Sequence, residues 1–176
     1  MRDLKADIRT VPDFPKPGIM YRDITTLLAD PEALKEAVRR LSDPFRDSGV
    51  TAVAGIDARG FIFGTAVAIE LGVGFVPVRK AGKLPFETLE QDYALEYGTD
   101  TLQIHADAVG KGDNVLLVDD LIATGGTADA AISLLRRAGC DVTAAAFLVD
   151  LPDLGGAAKI RAQDVPVTAL VSFEGH

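Results

Sequence analysis

The sequence predicts an α/β domain whose mainly parallel, twisted sheet is flanked by helices on both faces. Three observations carry that prediction. From residue 31 onward, apolar runs of strand length alternate with stretches of helical periodicity. The central runs, such as Val115–Val118, are continuous rather than alternating, as strands covered on both faces are. Glycines and prolines mark the joins between them. The 176 residues are read as a single domain over 1–176, long enough for one sizeable core.

The first 30 residues read as irregular, because FPKPGIMYRD holds two prolines and a glycine within ten residues. Asp30-Pro31-Glu32 is a helix start: a cap, a proline at the first helical position, then an acid. Leu34, Ala37, Val38 and Leu41 give this helix its apolar face, and Pro44 kinks it or begins another turn. Val50–Ile56 reads as a strand, and a helix from Phe61 to Leu71 follows, closed by Gly72. Phe75–Val78 is a strand. Residues 80–92, KAGKLPFETLEQD, form a long polar insert. Tyr93–Tyr97 and Thr101–His105 alternate weakly, as a surface hairpin does. Gly110–Asn114 turns into a strand over 114–120, and a helix over Ala128–Ala138 ends at Gly139. Val142–Val149 is a strand. A weak helix over 153–162 contains Gly155 and Gly156, and Val165–Val171 closes the sheet.

Composition narrows the functional classes. Hydrophobic content of 48% and charged content of 25% are ordinary for a soluble globular protein. Eighteen basic against 26 acidic residues leave a net charge of −8, which argues against nucleic acid or an anionic membrane as a partner. The single Cys140 has no internal disulfide partner, so a reducing compartment is expected. The N-terminus lacks an apolar signal core and no run of 18 apolar residues occurs, so the expectation is a cytoplasmic protein.

In open parallel sheets, ligands sit beyond the carboxyl ends of the strands. That rule sets Asp57–Gly60, Arg79–Lys83 and Asp119–Thr127 on one rim. The third segment belongs to VLLVDDLIATGGT, residues 115–127. Its glycines, Gly125 and Gly126, let backbone N–H groups approach an anion, and the following helix turns its N-terminus to the same place. Ala123 completes the small-residue loop, and Thr124 and Thr127 add hydroxyl donors. A phosphate is the natural guest. Asp119 and Asp120 repel a phosphate but accept hydrogen bonds well from a diol. Asp57-Ala58-Arg59-Gly60 offers a guanidinium, a glycine and another helix N-terminus, a fit for pyrophosphate. Arg79, Lys80 and Lys83 concentrate three positive charges in five residues of an acidic chain. They open an insert of about 13 residues, long enough to act as a lid. No G-x-x-x-x-G-K-[ST], no G-x-G-x-x-G after a strand, no H-E-x-x-H and no G-x-S-x-G occurs.

The stretch over 115–127 resembles the signature of the type I phosphoribosyltransferases, which use phosphoribosyl pyrophosphate. PDFPKPGIMYRDIT, RKAGKLP and LEYG extend the resemblance to the adenine-specific members over nearly the whole chain, most weakly after about residue 150. It implies that family's fold, with a small N-terminal hood over about 1–30 and a flexible loop and hairpin, the lid spanning about 80–92. It implies transfer of a phosphoribosyl group to adenine, giving AMP and pyrophosphate. It assigns ribose to Asp119 and Asp120, the 5′-phosphate to Ala123–Thr127, and pyrophosphate to Asp57–Gly60, Arg79, Lys80, Lys83 and Tyr97. A cis peptide after Asp57 is often part of that loop. Adenine would be read by the Met20 carbonyl and the Arg22 N–H, with Tyr21 and Leu121 stacking on its faces. Where the family usually has phenylalanine, this chain has Tyr21, whose hydroxyl needs a partner. Glu96 would handle the proton at N7. Magnesium would ride on the substrate rather than in a protein cage. Such enzymes are typically homodimers. Two rivals are a sibling transferase for xanthine, guanine or hypoxanthine, and a ligand-sensing regulator. The first would want a donor opposite O6 and lack the FPKPGI hood. The second would normally carry an added DNA-binding domain.

Overall fold

The computed structural model describes residues 1–95 and 97–175. In chain order its strands are β1 (Arg9–Pro12), β2 (Met20–Asp23), β3 (Ala52–Ile56), β4 (Gly74–Lys80), β5 (Thr88–Ala94), β6 (Thr99–His105), β7 (Asn114–Ile122), β8 (Asp141–Asp150) and β9 (Val167–Ser172). Its α-helices are α1 (Thr25–Ala29), α2 (Pro31–Ser42), α3 (Gly60–Leu71), α4 (Gly126–Arg137) and α5 (Gly156–Arg161). Seven strands form one sheet in the order β5-β6-β4-β3-β7-β8-β9. From β4 to β9 along this order the pairings are parallel, whereas β6 runs antiparallel to both β4 and β5.

Two buried clusters lie on opposite faces of the sheet. Val115 and Leu117 of β7 point into the cluster with α4 and α5, and Leu116 and Val118 into the cluster with α2 and α3. All four are fully buried, which is why β7 reads as an unbroken aliphatic run. The Asp30 carboxylate accepts from the N–H groups of Glu32 and Ala33 at 2.9 and 3.0 Å, so α2 starts where the sequence predicts. Pro44 belongs to a 3₁₀ turn over Asp43–Phe45 rather than to a kink within the helix.

Two regions differ from the sequence-based expectation. The first 30 residues are not irregular throughout. β1 and β2 pair antiparallel as a separate two-stranded ribbon, with Pro12 opposite Met20 and Thr10 opposite Arg22, and α1 follows. Elements of four or five residues are too short to show a period. In the polar insert, strand structure begins at Thr88, so β5 pairs with β6 over its whole length and the loop proper covers only 81–87. Polar cross-strand pairs hold this part of the hairpin. Thr101 Oγ1 lies 2.6 Å from Asp92 Oδ1, and Gln103 Nε2 donates to Glu90 Oε2 at 2.9 Å. β7 also continues to Ile122, past the expected end, which sets Asp119 and Asp120 inside a strand instead of at its tip.

Candidate functional site

A cavity of about 370 Å³ opens at the carboxyl ends of β3 and β7. The β3–α3 turn with Asp57–Arg59, the β7–α4 segment from Asp119 to Thr127, and Lys80 line it. The three rim segments expected from the sequence therefore border one space.

The segment leading into α4 is held by backbone packing. Gly125 has φ +85°, and a Cβ there would come 2.9 Å from the Gly156 Cα. In return, a Cβ on Gly156 would press on the Ala123 carbonyl and come 2.8 Å from the Gly125 nitrogen. The Gly156 N–H donates to the Ala123 carbonyl at 3.0 Å. The loop over Ala123–Gly125 thus rests directly on the start of α5, and no side chain caps α4. Gly126, Thr127 and Ala128 of its first turn line the cavity, with Thr124 beside them.

The adjacent acids have different partners. Asp120 is 5% exposed, and its Oδ2 accepts from Arg59 Nε at 2.6 Å. Asp119 Oδ1 accepts from the Asp120 N–H at 2.9 Å. Burial, reinforced by the neighbouring Asp120 charge, pushes the Asp119 carboxyl well above the usual carboxylate range. Burial works against the charge on Arg59, but Asp120 together with Tyr21 and Asp119 outweighs it and the guanidinium is raised above its ordinary value.

In the β3–α3 turn, the Asp57–Ala58 peptide is cis, as the resemblance implied. Asp57 Oδ2 accepts from Arg79 Nε at 3.2 Å and Lys83 Nζ at 3.3 Å. Burial raises the Asp57 carboxyl, yet these two cations together bring it below its ordinary value. Lys80 Nζ donates to the Tyr93 hydroxyl at 2.7 Å and also to Asp100 Oδ2. All four cations expected around pyrophosphate, Arg59 included, are thus held by acids of the chain itself.

The structure brings the hood into the same arrangement through Tyr21, whose hydroxyl accepts from Arg59 Nη1 at 3.1 Å. That is the partner this residue needed. Leu121 lines the cavity. The Arg22 side chain turns away, bonding Thr10 Oγ1 at 2.7 Å and lying 4.3 Å from the Phe173 ring. Met20 is 38% exposed, and Tyr97, at 83%, is not brought into the cavity. Glu96 lies outside the described residues. Sequence reasoning missed Asp100 and Tyr93, which hold Lys80, and Gly156, which seats the loop. The Gly155-Gly156 doublet was the available signal for the last, and it reads only as helix-weakening.

Comparison with known proteins gives a consistent result. Residues 23–171 match the phosphoribosyl transferase domain. The chain is 61% identical over 174 residues to the adenine phosphoribosyltransferase of Nitrobacter winogradskyi, covering 99% of this chain and 97% of that one. The crystal structure of the Rhodothermus marinus adenine phosphoribosyltransferase superposes with a TM-score of 0.90 at 52% identity, over 97% of this chain and 96% of that one. The Giardia lamblia enzyme complexed with 9-deazaadenine gives a TM-score of 0.92 at 37% identity, over 97% and 96% of the two chains. The chain belongs to the adenine phosphoribosyltransferase family and has the type I phosphoribosyltransferase fold.

Proposed function

We propose that this chain transfers the 5-phosphoribosyl group of phosphoribosyl pyrophosphate to adenine, giving AMP and pyrophosphate. The observation that carries the reading is the uncapped start of α4 opening, beside two adjacent carboxylates, onto one cavity. Ribose 5-phosphate has both matching parts. Its phosphate takes the N–H groups of the loop over Ala123–Thr127, and its ring hydroxyls donate to Asp119 and Asp120. Pyrophosphate leaves C1′ as N9 of adenine bonds to it, and the ring proton, held at N7 so that the N9 lone pair is free, passes to Glu96. Arg59, Arg79, Lys80 and Lys83 take the charge that develops on the leaving group, with Asp57 orienting Arg79 and Lys83. The ribosyl centre becomes cation-like in between, so closure of the 81–87 loop, with Tyr97 beside it, excludes water.

The base is read by the hood. Met20 and Arg22 stand two residues apart on β2, so the Met20 carbonyl and the Arg22 N–H leave the same edge of the strand. In this reading they take the adenine amino group and N1, with the Tyr21 ring and Leu121 on the two faces. Glu96 is the proton-transfer group at N7 in this reading. Magnesium, carried on the substrate, neutralises pyrophosphate charge when bound. The residues present would suit an ion carried mainly on substrate oxygens, since Asp120 is committed to Arg59 and no cluster of three or more metal-binding side chains occurs among the described residues. A second copy of the chain is the expected partner. α3 leaves Ile62 and Ile69 exposed at 43% and 75%, seven residues apart and so on one face. No helix among the described residues is long and apolar enough to cross a membrane, in keeping with a cytoplasmic location.

The test is a panel of adenine, guanine, hypoxanthine and xanthine with magnesium and phosphoribosyl pyrophosphate, read by nucleotide formation. Adenine should be converted to AMP and the oxopurines poorly. Comparable turnover of an oxopurine would overturn the base assignment.

A further inference from the structure

The Tyr21 hydroxyl has no part in stacking, yet it has a defined partner. It accepts from Arg59 Nη1 at 3.1 Å, across 38 residues of sequence. The same guanidinium donates Nε to Asp120 at 2.6 Å, across 61 residues. On its other side the Tyr21 ring meets Phe14 edge-on, with 5.1 Å between centroids and 77° between planes. One side chain therefore joins the hood, the β3–α3 turn and the β7 acids. The Arg59 side chain is 53% exposed, so a single bond through Nε would leave its plane free to swing. The second bond, at Nη1, fixes that plane and leaves the remaining N–H groups for an anion.

We propose that Tyr21 is a positioning residue: through its hydroxyl it holds the Arg59 guanidinium ready for pyrophosphate, and so couples the base pocket to the pyrophosphate loop. This rests on the function proposed above and adds a residue to it. An arginine ordered before binding loses less freedom when the anion arrives, so affinity for the phosphoribosyl donor rises without a new contact to it.

Tyr21→Phe keeps the ring and deletes the hydroxyl. Calorimetric titration with magnesium phosphoribosyl pyrophosphate, in the absence of base, should show Kd raised about five-fold, the size of one net hydrogen bond. Adenine KM should rise less than the donor Kd, because the stacking surface remains. In an Arg59→Lys background, which lacks the planar fork, Tyr21→Phe should add nothing further. An unchanged Kd in Tyr21→Phe overturns the inference. So does an adenine KM that rises as much as the donor Kd, which would place the hydroxyl in the base pocket's shape, or a full added effect in the Arg59→Lys background. A wild-type chain that does not bind the donor overturns the underlying reading as well, so the two failures are distinguishable.

Discussion

Helices α2 and α4 are each 12 residues long and begin in opposite ways. At α2 the Asp30 carboxylate takes two first-turn N–H groups, and Arg2 closes over it at 2.7 Å. At α4 a glycine stands in the cap position and no side chain caps the helix. Every helix start has N–H groups that need partners from outside the helix. The chain supplies them at α2, away from the cavity, and has no side-chain cap at α4, beside it. α3, which also starts at the cavity, likewise has no side-chain cap. The difference extends to the acids nearby. The Ala33 N–H and the Arg2 guanidinium hold Asp30 below the usual carboxylate range, whereas burial and Asp120 push Asp119 above it. On the proposed reading, the difference separates a helix start finished by the chain itself from one that meets the substrate phosphate.

The harshest way to break this contrast is to give α4 an acid of its own. Thr127→Asp sets a carboxylate among the N–H groups proposed to receive the phosphate. kcat/KM should fall by at least about a hundredfold through like-charge repulsion, while the thermal midpoint holds or rises because an acid suits a helix N-terminus. Retained activity would mean that the phosphate does not sit there. Gly156→Ala disturbs the seat instead of the guest. Its methyl meets backbone at Ala123 and Gly125, which does not turn aside as a side chain does. Stability should drop by about 1–3 kcal/mol, as in overpacked sites. kcat/KM should fall by up to about a hundredfold, as misplacement by about 1 Å does. Denaturant titration and steady-state rates check the two parts, and a fully active, fully stable variant would show the contact is slack. At the finished end, Asp30→Ala should lower the thermal midpoint by a few degrees and leave kcat/KM alone. Any kinetic effect there would blur the division between the two helix starts.

The smallest effect is one of pH. A carboxyl raised in the folded state contributes stability fully below its unfolded value and loses it as pH rises through the folded one. Asp119→Asn removes that loss. Thermal melts should therefore show the variant gaining on wild type as pH climbs above the ordinary carboxylate range, and no gain at lower pH. Asp30, shifted the other way, gives the opposite sign: its stabilisation is present above the ordinary range and fades as pH falls. If both variants shifted in the same direction with pH, the two acids would not be in the opposed environments described here.

What could be read from sequence was whatever lies contiguously along the chain. The acids, the small-residue loop and the helix start of VLLVDDLIATGGT are neighbours in sequence, and each has a direct physical use. The alternation of aliphatic runs and helical periods likewise gave the parallel sheet from β4 to β9. What joins distant segments was not legible. Nothing in Tyr21 announces Arg59, and nothing in Lys80 announces Asp100 and Tyr93, because those contacts depend on how separate elements dock. Gly156 was read for its poor helix propensity, whereas its use is to let two backbones touch. The start of β5 was taken for loop since its pattern is polar, and cross-strand hydrogen bonds there do the work that apolar alternation does elsewhere.

The sealing of β7 has a consequence for how such a chain can drift over generations. Val115, Leu116, Leu117 and Val118 are fully buried, two on each face of the sheet, so the strand has no side on which substitutions are free of cost. Exposed positions such as Lys35 on α2 face no such restriction. Mutations should therefore accumulate at such helix positions first, and descendants that come to prefer another base would be expected to differ in the hood while inheriting the Asp119–Asp120 strand unchanged.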